Sequence, residues 1–276
     1  MNGNFPTLLI SLEKDHDRRS HAIEQFALIG ISPHVVPAVN GHDPVFDFKR
    51  YRHLSRGKWW DMEKFKPGAF GCSLSHADCW RIVKDSEAPF ALICEDDIVI
   101  EQQAFRRLTE AELPIDFDVI FLNAGTNRFL DVAYPTECRS EGAFARMSDT
   151  LLRLVSMGKL TDQLTPGSYG YFVSRKGAGK LLNLMEREKV CMGVDYAMVF
   201  GSLSEPDMKR IMGYTLTSNY LKIYLDICSQ DACEQLSMPR ESLANYIWNP
   251  SPVFRHRSDF GSSLDHHKFL GFEVFS

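Results

Sequence analysis

Apolar and polar residues alternate along this chain in a pattern that predicts short strands, each followed by a helix. Leu8-Leu9-Ile10 is a buried-strand run. The polar stretch from Glu13 to Arg19 leads into Ala22, Ile23, Phe26, Ala27 and Ile29 at helical spacing, with Gly30 as the stop. Val35-Val36 predicts a second strand, closed by the turn signal Asn40-Gly41. No period is legible from His42 to Lys66, which reads as loop. Leu74, Ala77, Trp80 and Val83 predict a helix opened by Gly71, and Phe90 to Cys94 predicts a strand. A helix around Ala104, Phe105 and Leu108 follows, then a buried strand, Val119 to Leu122, with Asn123 and Gly125 at its carboxyl end. Residues 126–166 are rich in turns and charges and read as a variable insertion. Tyr169 to Val173 restores a strand, and Ser174 caps a helix carrying Ala178, Leu181, Leu182 and Met185. The alternation of Leu221, Ile223, Leu225 and Ile227 predicts a late strand. The order as a whole predicts an α/β fold, a mostly parallel central sheet flanked by helices. It assigns residues 1–230 to one domain and 231–276 to an extension packing on it.

The densest chemistry lies at the end of the third strand, where Glu95-Asp96-Asp97 follows Phe90 to Cys94. Three carboxylates at the end of a buried strand repel one another and lose hydration. A cation or a positively charged partner must neutralise them, unless the strand simply runs out into a solvated turn. Strand alternation places Glu95 and Asp97 on one face and Asp96 on the other. Two hard oxygen ligands on one side suit Mg²⁺ or Mn²⁺ holding a phosphate. In open α/β sheets, ligands bind beyond the carboxyl ends of the strands. Ser11-Leu12, Asn40-Gly41, Glu95 to Asp97 and Asn123 all fall there, which favours the cation over the solvated turn.

Composition narrows the partners. A net charge of -5 over 276 residues speaks against nucleic acid, which needs a basic face. No stretch approaches the roughly 20 apolar residues of a membrane span, and the first residues lack the pattern of a signal peptide. Seven cysteines without paired spacing read as reduced thiols of a cytoplasmic protein. Neither Cys72 nor Cys79 falls into a Cys-His zinc spacing, so no structural zinc site is predicted.

Five segments together resemble glycosyltransferase family 25, the lipooligosaccharide sugar transferases that also include collagen galactosyltransferases. They are Ile10-Ser11-Leu12-Glu13 with Arg18-Arg19; Gly71-Cys72-Ser73-Leu74-Ser75-His76 with Trp80; and Ala91 to Asp97. Gly170 to Ala178 is the fourth, and Val194-Asp195 the fifth, with Gly193 where the family has proline. The resemblance implies a GT-A-like fold, a UDP-sugar donor (most often UDP-galactose), a divalent cation, Mn²⁺ or Mg²⁺, and inversion at the anomeric carbon. The acceptor it implies is a lipooligosaccharide, another glycan or a lipid-linked oligosaccharide.

Carried onto this chain, the pattern makes Asp97 the first metal ligand. Glu95 would reach the metal through water or hold the ribose, and Asp96 would brace the turn. Asp195 is the candidate general base that inversion requires. Its competing roles are outer metal ligand, acceptor anchor, or N-cap of a helix starting near Tyr196. His76 would donate to a phosphate or sugar, or serve as a structural hydrogen-bonder. Arg18 and Arg19 suit diphosphate or uridine contacts. Ser11, Leu12, Asn40, Gly41 and Asn123 complete the donor set, although Asn40-Gly41 is equally an ordinary turn. Trp59-Trp60 offers a sugar-stacking surface or a loop anchor. Arg255-His256-Arg257 with His266-His267-Lys268 could touch anionic lipid at the inner membrane, supply a histidine to the metal, or remain solvated. Two further readings use the same acids, a nucleotidyltransferase and an inactive cation- or nucleotide-sugar-binding module.

Overall fold

A computed structural model describes residues 5–54, 67–134, 142–162, 164, 167–190, 192–229 and 241–257. The first part of the chain runs β1 (Thr7–Ser11), α1 (His16–Ala27), β2 (His34–Pro37), a 3-10 turn (Phe48–Leu54), α2 (Pro67–Asp85) and β3 (Phe90–Glu95). Next come β4 (Ile98–Ile100), α3 (Gln102–Glu110), β5 (Val119–Phe121), α4 (Ala124–Ala133), β6 (Phe144–Arg146) and α5 (Met147–Ser156). The last part is β7 (Gly170–Ser174), α6 (Arg175–Glu188), α7 (Val194–Phe200), α8 (Glu205–Ile211), α9 (Asn219–Ser229), β8 (Asn245–Trp248) and β9 (Phe254–His256).

Among the described residues, seven strands form one sheet in the order β2-β1-β3-β7-β5-β8-β6. β2, β1 and β3 pair in parallel, as do β5 and β8. β7 runs against both of its neighbours and β6 against β8. The α/β architecture predicted from the alternation is therefore present. Its sheet is mixed, with five strands in one direction and two against it.

Strand periodicity explains how both faces are covered. Leu8 and Ile10, Ala91 and Ile93, Val119 and Phe121, and Tyr171 and Val173 enter one core, shared with α2 and α4 to α9. Leu9, Leu92, Cys94, Ile120 and Phe172 enter the opposite core, against Ala22 and Phe26 of α1 and Ala104, Phe105 and Leu108 of α3. Each fully buried large side chain contributes about 1.5–3 kcal/mol relative to exposure.

Three expectations are corrected. Residues 221–227 are helical, because Leu221, Tyr224 and Leu225 form the buried face at helical spacing and the apparent period of two was coincidental. The Ser218 hydroxyl accepts from Leu221 N at 3.1 Å, and the Asp162 carboxylate accepts from Asn219 N and Tyr220 N, so α9 is capped. Residues 126–166 hold most of α4, all of β6 and α5, with Met147, Leu151, Leu154 and Val155 buried as one stripe of α5. Finally, α2 already includes Pro67, so Gly71 lies inside the helix rather than at its start. Gly71 instead lets α2 approach the exit of β2, since a Cβ there would meet the Val39 carbonyl oxygen at 2.4 Å. Trp59-Trp60 and His266-His267-Lys268 lie outside the described residues.

The C-terminal segment enters the sheet. β8 is seated between β5 and β6, and β9 pairs with β4. Its anchor is Asp118, fully buried just before β5. The Asp118 carboxylate accepts from Lys180 Nζ at 2.7 Å and Ala244 N at 2.8 Å. Helix α6 reaches this point only because Gly177 has no side chain, a Cβ there falling 2.2 Å from the Asp118 carbonyl oxygen. Gly177→Ala is expected to cost about 1–3 kcal/mol by forcing helix and strand apart. Urea unfolding checks this, and an unchanged midpoint would contradict the close approach.

Candidate active site

The site grows from the parallel strand ends. Ser11 pairs with Pro37 and Ile10 with Glu95, so the exits of β2, β1 and β3 lie side by side. β7 enters from the opposite direction and brings Ser168 and Tyr169 to the same edge, where Glu95 N donates to the Tyr169 carbonyl at 3.2 Å. β3 ends at Glu95, and the chain bends through Asp96 and Asp97 before β4. The predicted strand alternation therefore does not extend through the triplet.

Asp96 and Asp97 instead share one cation. Arg18, on the first turn of α1, sets Nε 2.9 Å from Asp96 Oδ1 and Nη2 2.6 Å from Asp97 Oδ2. Arg18 thus faces the acids directly, while Arg19 donates to the Leu12 and Glu13 carbonyls and fixes the turn into α1. His256, from β9, brings Nε2 to 3.1 Å from Asp97 Oδ2, and Arg257 N donates to the Asp97 carbonyl at 2.8 Å. Burial works to raise the Asp97 carboxyl, but the His256 hydrogen bond and the Arg18 charge hold it below its ordinary value. His256 is raised in return, chiefly by its bond to Asp97. Burial pushes Asp96 up to about 6, against the Ser11 hydroxyl and Arg18, which both favour its charged form.

Glu95 belongs to a second network. His76 is fully buried on α2, with Nδ1 2.8 Å from the Tyr171 hydroxyl and Nε2 3.3 Å from Glu95 Oε1. Trp80 Nε1 donates to that hydroxyl at 2.9 Å, and Ser168 Oγ donates to Glu95 Oε1 at 2.7 Å. Every group is satisfied when Tyr171 donates to His76 Nδ1 and the ring proton on Nε2 points to Glu95. Asp195 lies in the first turn of α7, whose N-cap is Gly193, and its Oδ1 accepts from Tyr196 N at 2.9 Å. Burial, then the nearby Glu95 charge, raises Asp195 to about 6. The same influences act on Cys72, one turn before His76. Burial first, then Glu95, Asp195 and Asp97, push its thiol well above the ordinary value.

The remaining predicted residues divide. The Ser11 hydroxyl donates to the Leu12 carbonyl at 3.4 Å, and that carbonyl is also held by Arg19 and by Asp15 N. The Asn40 side chain caps its own turn by accepting from His42 N at 3.1 Å. Gly41 packs on Pro67, and an open cleft of about 460 Å³ adjoins it, lined also by His42, Phe46, Phe48 and Lys49. Two strand spacings, about 10 Å, separate this exit of β2 from that of β3. Asn123 is fully buried, and its side chain caps α4 and donates to the Gly167 carbonyl. That side chain is engaged in structural hydrogen bonds. Sequence reasoning read Tyr171 only as a strand residue, missed Ser168, and set Cys72 aside although it stands four residues before His76. Arg255 and His256 of the late basic cluster face Glu101 and Asp97 of the same chain.

Residues 4–198 match the sequence model of glycosyltransferase family 25, described as an LPS biosynthesis protein. A Haemophilus influenzae protein named provisionally as a glycosyltransferase is 25% identical over 235 residues, covering 85% of this chain and 73% of its own. The mouse procollagen galactosyltransferase 2 is 29% identical over 120 residues, 39% of this chain and 18% of its own.

Replacing Arg18 tests the electrostatics. Arg18→Gln leaves two buried carboxylates without their shared counter-charge and is expected to cost about 3–5 kcal/mol at pH 8. Asp96, raised by burial even with Arg18 present, then binds its proton still more tightly when folded than unfolded, so part of the lost stability recovers as pH falls through about 6. Urea unfolding at pH 8 and pH 5 should show the deficit shrinking. A deficit equal at both values would contradict the clamp.

Proposed function

The chain belongs to glycosyltransferase family 25, and on that premise we propose that it moves a hexose, galactose foremost, from a UDP-sugar to a lipooligosaccharide or related glycan. The reaction we infer is a cation-dependent single displacement with inversion. The observation that carries this reading is Asp97 Oδ1, a buried carboxylate oxygen that has no hydrogen-bond partner among the described residues, beside an occupied Oδ2. An orphaned anionic oxygen inside the protein is costly, and a divalent cation relieves that cost.

The residues fit such a cation. Asp97 and His256 would hold Mn²⁺ or Mg²⁺, with Glu95 placed to reach it through water or to take the donor's ribose. When bound, the ion supplies positive charge where the UDP leaving group becomes more negative. Arg18 already sits against Asp97 and can share its charge with a diphosphate arriving at the strand ends. The cleft beyond Gly41 receives the nucleoside side of the donor. Asp195 takes the proton of the acceptor hydroxyl as that oxygen attacks the anomeric carbon. Raised to about 6, Asp195 is still a carboxylate at neutral pH and a stronger base than a solvated one. Among the described residues no helix is long and apolar enough to cross a membrane. A peripheral place at the cytoplasmic face of the inner membrane follows from a lipid-linked acceptor rather than from Arg255 and His256.

Release of UDP from UDP-galactose in the presence of Mn²⁺ and a truncated lipooligosaccharide tests the reading. Asp97→Asn should lose metal-dependent turnover while staying folded, and undiminished turnover would refute the metal assignment. Asp195→Asn should lower kcat by about 10²–10⁴-fold and leave UDP affinity nearly intact. Lost UDP affinity would move Asp195 to the metal shell. The kcat/KM profile should fall below pH of about 6, where the Asp195 carboxylate becomes protonated. A profile flat to pH 5 would remove it as base.

A further inference from the structure

We propose that Cys72, His76 and Glu95 form a binding site for one zinc-class cation, separate from the oxygen-ligand position at Asp97. A ligand atom from each of the three lies within 4.8 Å of the others. Helix α2 sets Cys72 and His76 four residues apart, hence on one face. Strand β3 supplies Glu95 from the sheet below. His76 Nε2 and Glu95 Oε1 are 3.3 Å apart, close to the edge of a tetrahedron with metal-ligand bonds of about 2.0–2.1 Å.

The surroundings are those of a built site. Metal-binding imidazoles commonly give their second nitrogen to a fixed partner, and His76 Nδ1 has one in Tyr171, itself held by Trp80. The Tyr171 hydroxyl has two lone pairs, so it can accept from both rings once Nε2 turns to a metal. Ser168 orients the Glu95 carboxylate in the same manner. A thiolate and a carboxylate together cancel a divalent charge, and the carboxylates of Asp195 and Asp97 add to the negative potential on Cys72. The sulfur ligand selects zinc over Mg²⁺ or Mn²⁺, which favour oxygen-rich sites. His76 is enclosed, whereas the Glu95 side chain is 24% exposed and leaves an entry. Binding releases the Cys72 thiol proton to solvent, while the His76 ring stays neutral and its single proton shifts from Nε2 to Nδ1, so one proton is released per zinc. Because Glu95 also serves the donor, zinc here inhibits transfer; only that consequence rests on the transferase reading.

The test begins with the wild-type chain, stripped of metal and reloaded with one equivalent of Zn²⁺. Zinc K-edge absorption should show one sulfur at about 2.3 Å with nitrogen and oxygen at about 2.0–2.2 Å. The Co²⁺-loaded protein should show a thiolate-to-cobalt charge-transfer band. Cys72→Ser should abolish that band and lower zinc affinity by more than the roughly 10–100-fold typical of lost outer-shell partners. Asp97→Asn should keep both. Where Cys72→Ser does not fold, zinc should protect Cys72 of the wild type from alkylation, as mapped by peptide mass spectrometry. A shell without sulfur, zinc lost on desalting, or an unprotected Cys72 overturns the site. Zinc that binds as proposed without slowing UDP release overturns only the inhibition.

Discussion

Arg18 lies between two carboxylates that could not otherwise be buried side by side. Its guanidinium meets Asp96 and Asp97 at 2.9 and 2.6 Å, with all three side chains about nine-tenths enclosed. Charge of that density inside a protein persists only when paired. The pairing also fixes the architecture, because it ties the first turn of α1 to the bend after β3, where β1 and β3 end together. A rigid planar fork suits the task, since one residue satisfies two acids at once. It leaves Asp97 Oδ1 without a hydrogen-bond partner among the described residues, and the chemistry is expected at that atom.

The second constraint comes from the far end of the chain. β8 completes the sheet, and β9 pairs with β4 and sets His256 on Asp97. The acids are thus enclosed by residues from four other regions, 11–18, 76, 168–169 and 254–257. Asp118 holds the C-terminal segment to α6 and β5 on one side, while the main chain of Arg257 and Val253 binds Asp97 and Glu101 on the other.

Much of the design was legible in the residues. The runs at Leu8 to Ile10, Phe90 to Cys94 and Val119 to Leu122 read as strands because both faces of the sheet are covered, which makes them continuously apolar. The acidic triplet announced itself by following such a run, and its need for positive charge was visible before Arg18 could be placed. What stayed hidden depends on long-range contact. The alternation of α9 mimicked a strand until the buried face at Leu221, Tyr224 and Leu225 decided it. α5 was masked by charged neighbours although its apolar spacing was helical. Asn123 looked like a ligand-facing residue from its position, yet its side chain is spent on the cap of α4. His256 carried only composition as a signal, and Tyr171 only that of a strand residue, because each acquires its role from a partner far away in sequence.

If the acids at the end of β3 gather a cation for a nucleotide, metal and nucleotide must stabilise the fold together. Thermal unfolding with UDP, Mn²⁺, both and neither measures this without an acceptor. At about 100 times its dissociation constant, UDP with Mn²⁺ should add about 2.7 kcal/mol, a rise of roughly 5–10 °C, and each alone much less. An unchanged midpoint with both ligands present would contradict a metal-bridged nucleotide site and leave Arg18, Asp96 and Asp97 as a purely structural clamp.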